Sequence, residues 1–192
     1  MHEINYFLES SEAIKNLCKE ESVLKDSLDL IYETLNNDKK ILVAGNGGSN
    51  SDAEHFVGEL VCTFNKKKRR GLSAIHLGGN STSLTAWGND FDFHSYIERE
   101  IQALGKKGDL LILISTGGGD LKTKTSYNMI LANKMAKNLN LKTIALVGKS
   151  GGYLSKNSDV VIHVKNNITS IIQECHIAIL HYLCYGIDEL FE

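Results

Sequence analysis

Apolar positions recur along this chain with two periods, and the two alternate. From residue 2 to 36 they fall at helical spacing (Ile14, Leu17, Leu24, Leu28, Ile31), which predicts two helices or one broken helix. Asn36-Asn37-Asp38 stops that pattern. Residues 40–44, with the continuous run Ile41-Leu42-Val43-Ala44, read as a buried strand, and Asn50 to Val61 as a helix. Residues 72–77 form a second expected strand. A short helix over Asn80–Ala86 and a longer one over His94–Leu104 follow. Asp109–Ile114 is an almost wholly apolar third strand, succeeded by a helix from Asp120 to Leu139. Strands at 143–147 and 160–164 and a closing helix over Ile168–Leu190 complete the order.

Strands that alternate with helices predict an α/β fold, a parallel sheet covered on both faces. The pattern shows no internal repeat or linker. We therefore expect one domain over 1–192, with a helical segment at 1–38 and the α/β core at 39–192. In such folds ligands bind beyond the C-terminal ends of the strands. Two glycine-rich loops lie there: Gly45-Asn46-Gly47-Gly48-Ser49 after the first strand and Ser115-Thr116-Gly117-Gly118-Gly119 after the third. Glycine lets backbone approach a ligand closely, and a helix N-terminus offers amides to an anion. Neither loop fits the Gly-x-Gly-x-x-Gly fingerprint or the Lys-Ser/Thr ending of a P-loop, so a nucleotide is not the first expectation. Two such loops with hydroxyls (Ser49; Ser115, Thr116) favour a phosphate over two plain turns.

Composition narrows the partners. The 192 residues are 42% hydrophobic and 23% charged, with a net charge of -2. That balance gives no general argument for nucleic acid or an anionic membrane. No stretch is long and apolar enough to span a bilayer, and the first residues lack a signal-peptide pattern, so the expected location is cytoplasmic. Cys18, Cys62, Cys175 and Cys184 form no Cys-x-x-Cys pair and sit among apolar neighbours; buried free thiols are expected. The run Lys66-Lys67-Lys68-Arg69-Arg70 reads chiefly as a solvated loop, and Asn89-Asp90 as a polar turn.

The candidate chemistry lies on two helices. His55 and Glu59 are four apart, one face of the helix after the first glycine loop. The closing helix, otherwise apolar, carries Gln173, Glu174, His176 and His181. Gln173 and His181 are eight apart, near two turns. Spacing leaves two readings of His55, Glu59, Gln173 and His181: a site for a divalent metal such as zinc, or a satisfied polar network between helices.

Together these segments resemble the SIS (sugar isomerase) domain family, and within it the branch that isomerises phosphoheptoses. The matching stretches are Gly45 to Leu60, Gly88-Asn89-Asp90-Phe91, Gly108 to Thr116, Leu146 to Gly152, and Ile172 to Ile177 with His181. The resemblance implies a three-layer αβα sandwich, flavodoxin-like, around a five-stranded parallel sheet. It further implies a homotetramer packed through the N-terminal helices, with active sites at subunit interfaces. The implied reaction converts sedoheptulose 7-phosphate to D-glycero-D-manno-heptose 7-phosphate through an enediol, towards heptose for lipopolysaccharide or capsule. It implies zinc held by His55, Glu59, Gln173 and His181, with Glu59 and His181 as the acid/base pair. Implied substrate contacts are Asn46, Gly47, Gly48, Ser49, Glu59, Asn89, Asp90, Ser115, Thr116 and Gln173.

The chain departs from the family in the third-strand loop, usually Ser-Thr-Ser-Gly-Asn-Ser. Gly117 and Asp120 stand at substrate-binding positions where that family has hydroxyls, and Asp120 is expected either to face the phosphate or to cap the helix it begins. Ser170 replaces an acidic residue three before Gln173. Two alternatives accompany the leading reading: an isomerase of another sugar phosphate, and a non-enzymatic tetrameric SIS adaptor that regulates the replication initiator. His181 favours the enzyme, because the adaptor branch tends to lose it.

Overall fold

Five short apolar runs pair into one parallel sheet. In this computed structural model, which describes residues 3–65 and 68–192, they are β1 (Ile41–Gly45), β2 (Ala74–His76), β3 (Leu110–Ser115), β4 (Lys142–Val147) and β5 (Val160–His163). Their order is β2-β1-β3-β4-β5, every pair parallel. Every residue of β1 and β3 is buried, as strands covered on both faces must be.

The helices are α1 (Glu3–Asn16), α2 (Glu21–Asn36), α3 (Gly48–Val61), α4 (Ser81–Asp90), α5 (Tyr96–Leu104), α6 (Tyr127–Asn138), α7 (Leu154–Asn157) and α8 (Thr169–Leu190). A 3₁₀ turn over Leu17–Glu20 joins α1 to α2, so the first helical pattern is two helices with a break. Because side chains alternate across a pleated strand, each strand feeds two cores. Ile41, Val43, Ile112 and Ile144 pack with Ile31, Phe56, Leu60, Ile172 and Ile179 from α2, α3 and α8. Leu42, Ala44, Leu111 and Leu113 pack with Ile97, Ile101, Met129 and Ala136 from α5 and α6. The result is the expected three-layer sandwich.

Strand order positions the site. β1 lies between β2 and β3, and the chain leaves β1 for α3 on one face and β3 for α6 on the other. The loops after these neighbouring strands part, and a crevice opens between them, as at the switch point of other doubly wound sheets. α1 is tied to α8 through Glu174, whose carboxylate accepts from the Tyr6 and Ser10 hydroxyls.

Four expectations need correction. The helix expected from Asp120 begins seven residues later, at Tyr127. Gly118, Gly119, Lys124 and Ser126 all hold positive φ, which no helix turn tolerates, so 117–126 is a long loop. α4 runs on through Asp90, so Asn89 and Asp90 close a helix instead of forming a turn. Cys175 and Cys184 are buried free thiols, but Cys18 and Cys62 are exposed. In the basic run, Arg69 is not solvated: its side chain is 1% exposed and pairs with Asp188 at 2.5 Å. Lys66 and Lys67 lie outside the described residues.

Candidate active site

The glycine loop after β1 is a tight turn held by its own backbone. The Ser49 amide donates to the Asn46 carbonyl at 3.0 Å, and the Asn50 amide to Gly47 at 3.0 Å. Gly47 sits at φ +55, ψ -123, a conformation closed to other L residues. Gly48 opens α3 where a Cβ would run into the Gln173 amide of α8. Asn46 then exchanges paired side-chain hydrogen bonds with Asn128 in the first turn of α6, at 2.9 and 2.7 Å. The first glycine loop is thereby tied to the start of α6.

Between the two glycine loops is a hollow of about 280 Å³. Asn46 to Ser49 form one wall, Ser115 and Thr116 another, and Ser126, Thr169 and Gln173 complete it. None of the lining residues carries a charge. The starts of α3 and α8 (Gly48, Thr169) border it, and Ser126 immediately precedes α6. Helix N-termini present amides without intrahelical partners and the positive end of the helix dipole. Three of them with five hydroxyls make a neutral cradle suited to an anion.

Ser126 and Thr169 are in this lining, but Gly117 and Asp120, both expected to contact substrate, are not. The Asp120 carboxylate accepts from the Lys122 and Thr123 amides at 2.6 and 3.0 Å, which cap a surface turn instead of a helix. Those amides, Thr123 foremost, hold its carboxyl below the usual range. The long loop carries a hydroxyl to the start of α6 six residues beyond Asp120. The signal that could have found Ser126 is Thr125-Ser126 directly before the apolar pattern that begins at Tyr127.

Gly48 adjoins Gln173, and further along both helices His55 meets His181, so α3 and α8 run side by side in the same direction. His55 Nε2 and His181 Nε2 are 3.0 Å apart, and His55 Nε2 is 3.6 Å from a Glu59 carboxylate oxygen. Phe64 stacks on the His181 ring. Asp52, three before His55, has its carboxyl raised by burial, with His55 partly opposing the rise. Of the four expected metal ligands, three meet here. Gln173 instead stands about 12 Å along α8 from His181, at 1.5 Å per residue. Among the described residues, no group of three or more His, Cys, Asp or Glu closes into a ready metal site. Asn89 and Asp90 are exposed at the end of α4, hydrogen-bonded to each other at 2.7 Å, and do not line the hollow.

A doubly wound sheet of this order, with an uncharged cradle suited to an anion and an imidazole–carboxylate cluster along one helix seam, makes an α/β protein equipped for proton-transfer chemistry on an anionic ligand. The sequence profile of the SIS domain family matches residues 5–148. The phosphoheptose isomerase of Helicobacter pylori is 42% identical over 186 residues, 96% of this chain and 93% of that protein. The solved phosphoheptose isomerase of Neisseria gonorrhoeae superposes with a TM-score of 0.88 at 35% identity, covering 97% of this chain and 96% of that one. That of Francisella tularensis gives 0.89 at 33% identity, covering 96% and 95%. The chain belongs to the SIS domain family, among its phosphoheptose isomerases.

Proposed function

We propose that the protein is an aldose–ketose isomerase that converts sedoheptulose 7-phosphate to D-glycero-D-manno-heptose 7-phosphate, with the phosphate in the uncharged hollow and C1–C2 at the His55–Glu59–His181 cluster. The observation that carries this reading is a match of lengths. Gly48 to His55 is seven residues of helix, about 10 Å. A heptose chain extended from its phosphate puts C1 and C2 roughly 8–10 Å from phosphorus, given C–C bonds near 1.5 Å. A substrate laid along the α3–α8 seam therefore joins the two sites. The relatives' names and the coverage of both chains support the same activity.

The reaction moves a proton from C1 to C2 and the carbonyl from C2 to C1. Glu59 takes the proton from C1 to give the enediol and returns it to C2. His181, 3.0 Å from His55, transfers protons at O1 and O2 and assists opening of the sugar ring. Gln173, beside Gly48, hydrogen-bonds the sugar between the two ends. Exclusion of a charged side chain from the hollow keeps phosphate binding from depending on the protonation of a protein group there.

The donor types of His55, Glu59 and His181 suit zinc, which would have to draw together a cluster that is not closed in this structure. Tetrahedral zinc with Zn–N near 2.0–2.1 Å holds two nitrogens about 3.3 Å apart, against 3.0 Å here, and takes N and O donors readily. His55, Glu59 and His181 would hold it; when bound it supplies a positive charge that polarises the carbonyl. Gln173 would join only by reaching along the seam. Self-association as a homotetramer is supported by exposed Phe7 and Leu8 on α1 and Phe91 and Phe93 beside α5, a large apolar surface for a single copy. Lipopolysaccharide or capsule is the proposed destination of the product, and the absence of any membrane-crossing helix among the described residues fits the proposed cytoplasmic setting.

The test is NMR of the purified protein with sedoheptulose 7-phosphate, together with metal content by mass spectrometry. The expected result is the aldose heptose phosphate and about one zinc per chain, the zinc lost in His181→Ala. No conversion by zinc-loaded protein overturns the substrate; a chain that takes up no zinc overturns the metal site.

A further inference from the structure

The lower end of the α3–α8 seam holds a buried ion pair that the chemistry above does not use. Arg69 Nε lies 2.5 Å from Asp188 Oδ1, the two side chains 1% and 2% exposed. The rest of the guanidinium is turned to the end of α3. Its Nη2 donates to the Glu59 carbonyl at 2.7 Å and its Nη1 to the Leu60 carbonyl at 3.0 Å. Those are two of the four carbonyls a helix leaves without intrahelical partners, and a cation there also meets the negative end of the dipole. The second Asp188 oxygen accepts from the Asn65 amide at 3.0 Å, which fixes the chain just after α3.

The partners matter. Glu59 is the residue assigned to move the carbon proton, and Arg69 grips its backbone. Asp188 is seven residues beyond His181 on α8, two turns, so both belong to the face of α8 turned to α3. Cys184, between them, registers the proximity: burial pushes its thiol up to about 12, the carboxylates of Glu59 and Asp188 add to the rise, and Arg69 opposes it. One guanidinium thus spans the helix carrying Glu59 and the helix carrying His181.

We propose that Arg69, seated on Asp188, is a positioning residue that sets the Glu59 carboxylate against His181 across the α3–α8 seam. The inference rests on the assignment of Glu59 and His181 above. A planar fork is required, because one donor must face Asp188 while two others reach successive helix carbonyls; a lysine ammonium cannot span that geometry. The phosphate hollow is at the opposite end of both helices, so the device acts on turnover and leaves binding alone.

Three proteins separate this role from a merely structural one: wild type, Arg69→Lys, and the pair Arg69→Met/Asp188→Leu. Replacing both members of a buried pair with apolar residues of like volume tends to preserve folding. The expected result for the double variant is a melting temperature close to wild type with kcat on sedoheptulose 7-phosphate down about a hundredfold, the scale of a 1 Å misplacement, and KM within about twofold. Arg69→Lys should lose about tenfold in kcat on the same principle, again with KM held. Ring nitrogen signals of His55 and His181, recorded by long-range ¹H–¹⁵N NMR, should move in both variants while those of the distant His94 do not. A double variant with wild-type kcat, or with unmoved His55 and His181 signals, overturns the proposal. Absence of turnover in wild type would count against the substrate, and the ring signals would still decide the role of Arg69.

Discussion

The two ends of the α3–α8 seam are built from opposite kinds of group. At the hollow, lined from Asn46 to Gln173, every residue is uncharged and binding falls to amides, hydroxyls and helix dipoles. Seven to eleven residues further along α3, two imidazoles and a carboxylate meet, with the Arg69–Asp188 pair below them. An anion can be held by fixed dipoles without any group changing its proton. Isomerisation cannot proceed without groups that do change it. On the proposed assignment the seam separates affinity from turnover by about 10 Å of helix, and substitutions at the two ends should fall on different kinetic constants.

The largest break comes at Glu59. Glu59→Gln keeps the shape and removes the proposed base, so kcat should fall by about 10³-fold or more while the proposed phosphate end still binds. Isothermal titration with sedoheptulose 7-phosphate should give a Kd within a few-fold of wild type. A Glu59→Gln protein that turns over normally would take the carbon proton away from this residue and dissolve the comparison.

The next effect sharpens the comparison by marking a titratable group on α8 that belongs to neither end. His176 is fully buried on the sheet side of the helix, near the Val147 backbone, and neither ring nitrogen has a hydrogen-bond partner of good geometry. Burial pushes its pKa down to about 4. The folded protein thus keeps the ring neutral, while the unfolded chain takes up a proton near pH 6.5. Stability from this group is intact above pH 6.5 and is lost as pH falls from there towards 4. Between pH 7.5 and 5 the loss should be about 2 kcal/mol, from the linkage of the two pKa values. Urea unfolding of wild type and His176→Leu at both pH values checks it: the variant should lose about 2 kcal/mol less. Equal losses would mean that the ring finds a proton partner in the fold.

How much of this was legible in the sequence depended on loop length. The loop after β1 is short, and Gly45 to Ser49 could be placed at once because an apolar run ends on one side and a helix begins on the other. His55 and Glu59 followed by counting along that helix. The loop after β3 gave no such frame. Gly117 to Ser126 holds four residues at positive φ that no pattern of apolar positions announces, so a helix was expected from Asp120, and Ser126, which lines the hollow, was not singled out. Arg69 was hidden for a different reason. A guanidinium in a basic run looks solvated, and its partner Asp188 is 119 residues away in sequence. Long-range pairing of this kind has no local period. Gln173 shows a third limit: periodicity placed it on the face of His181, but only the packed helices show it at the glycine loop.

The smallest effects lie in the misread loop, and they test the hollow directly. Ser126 is the first-placed hydroxyl at α6 and lines the hollow, whereas the Asp120 carboxylate is engaged by the Lys122 and Thr123 amides on the surface. A hydrogen bond to a charged group contributes about 1.5–3 kcal/mol, so Ser126→Ala should raise KM for the sugar phosphate by roughly tenfold or more with kcat held. Asp120→Asn removes an exposed charge whose carboxylate is held by the Lys122 and Thr123 amides, and should change KM less than twofold, because salt and water screen exposed charges. Steady-state kinetics at two ionic strengths distinguish the two sites. If Asp120→Asn instead lowered KM strongly at low salt, the carboxylate would be facing the phosphate, the loop would fold back on the hollow with substrate bound, and the neutral end of the seam would carry a repulsive charge after all.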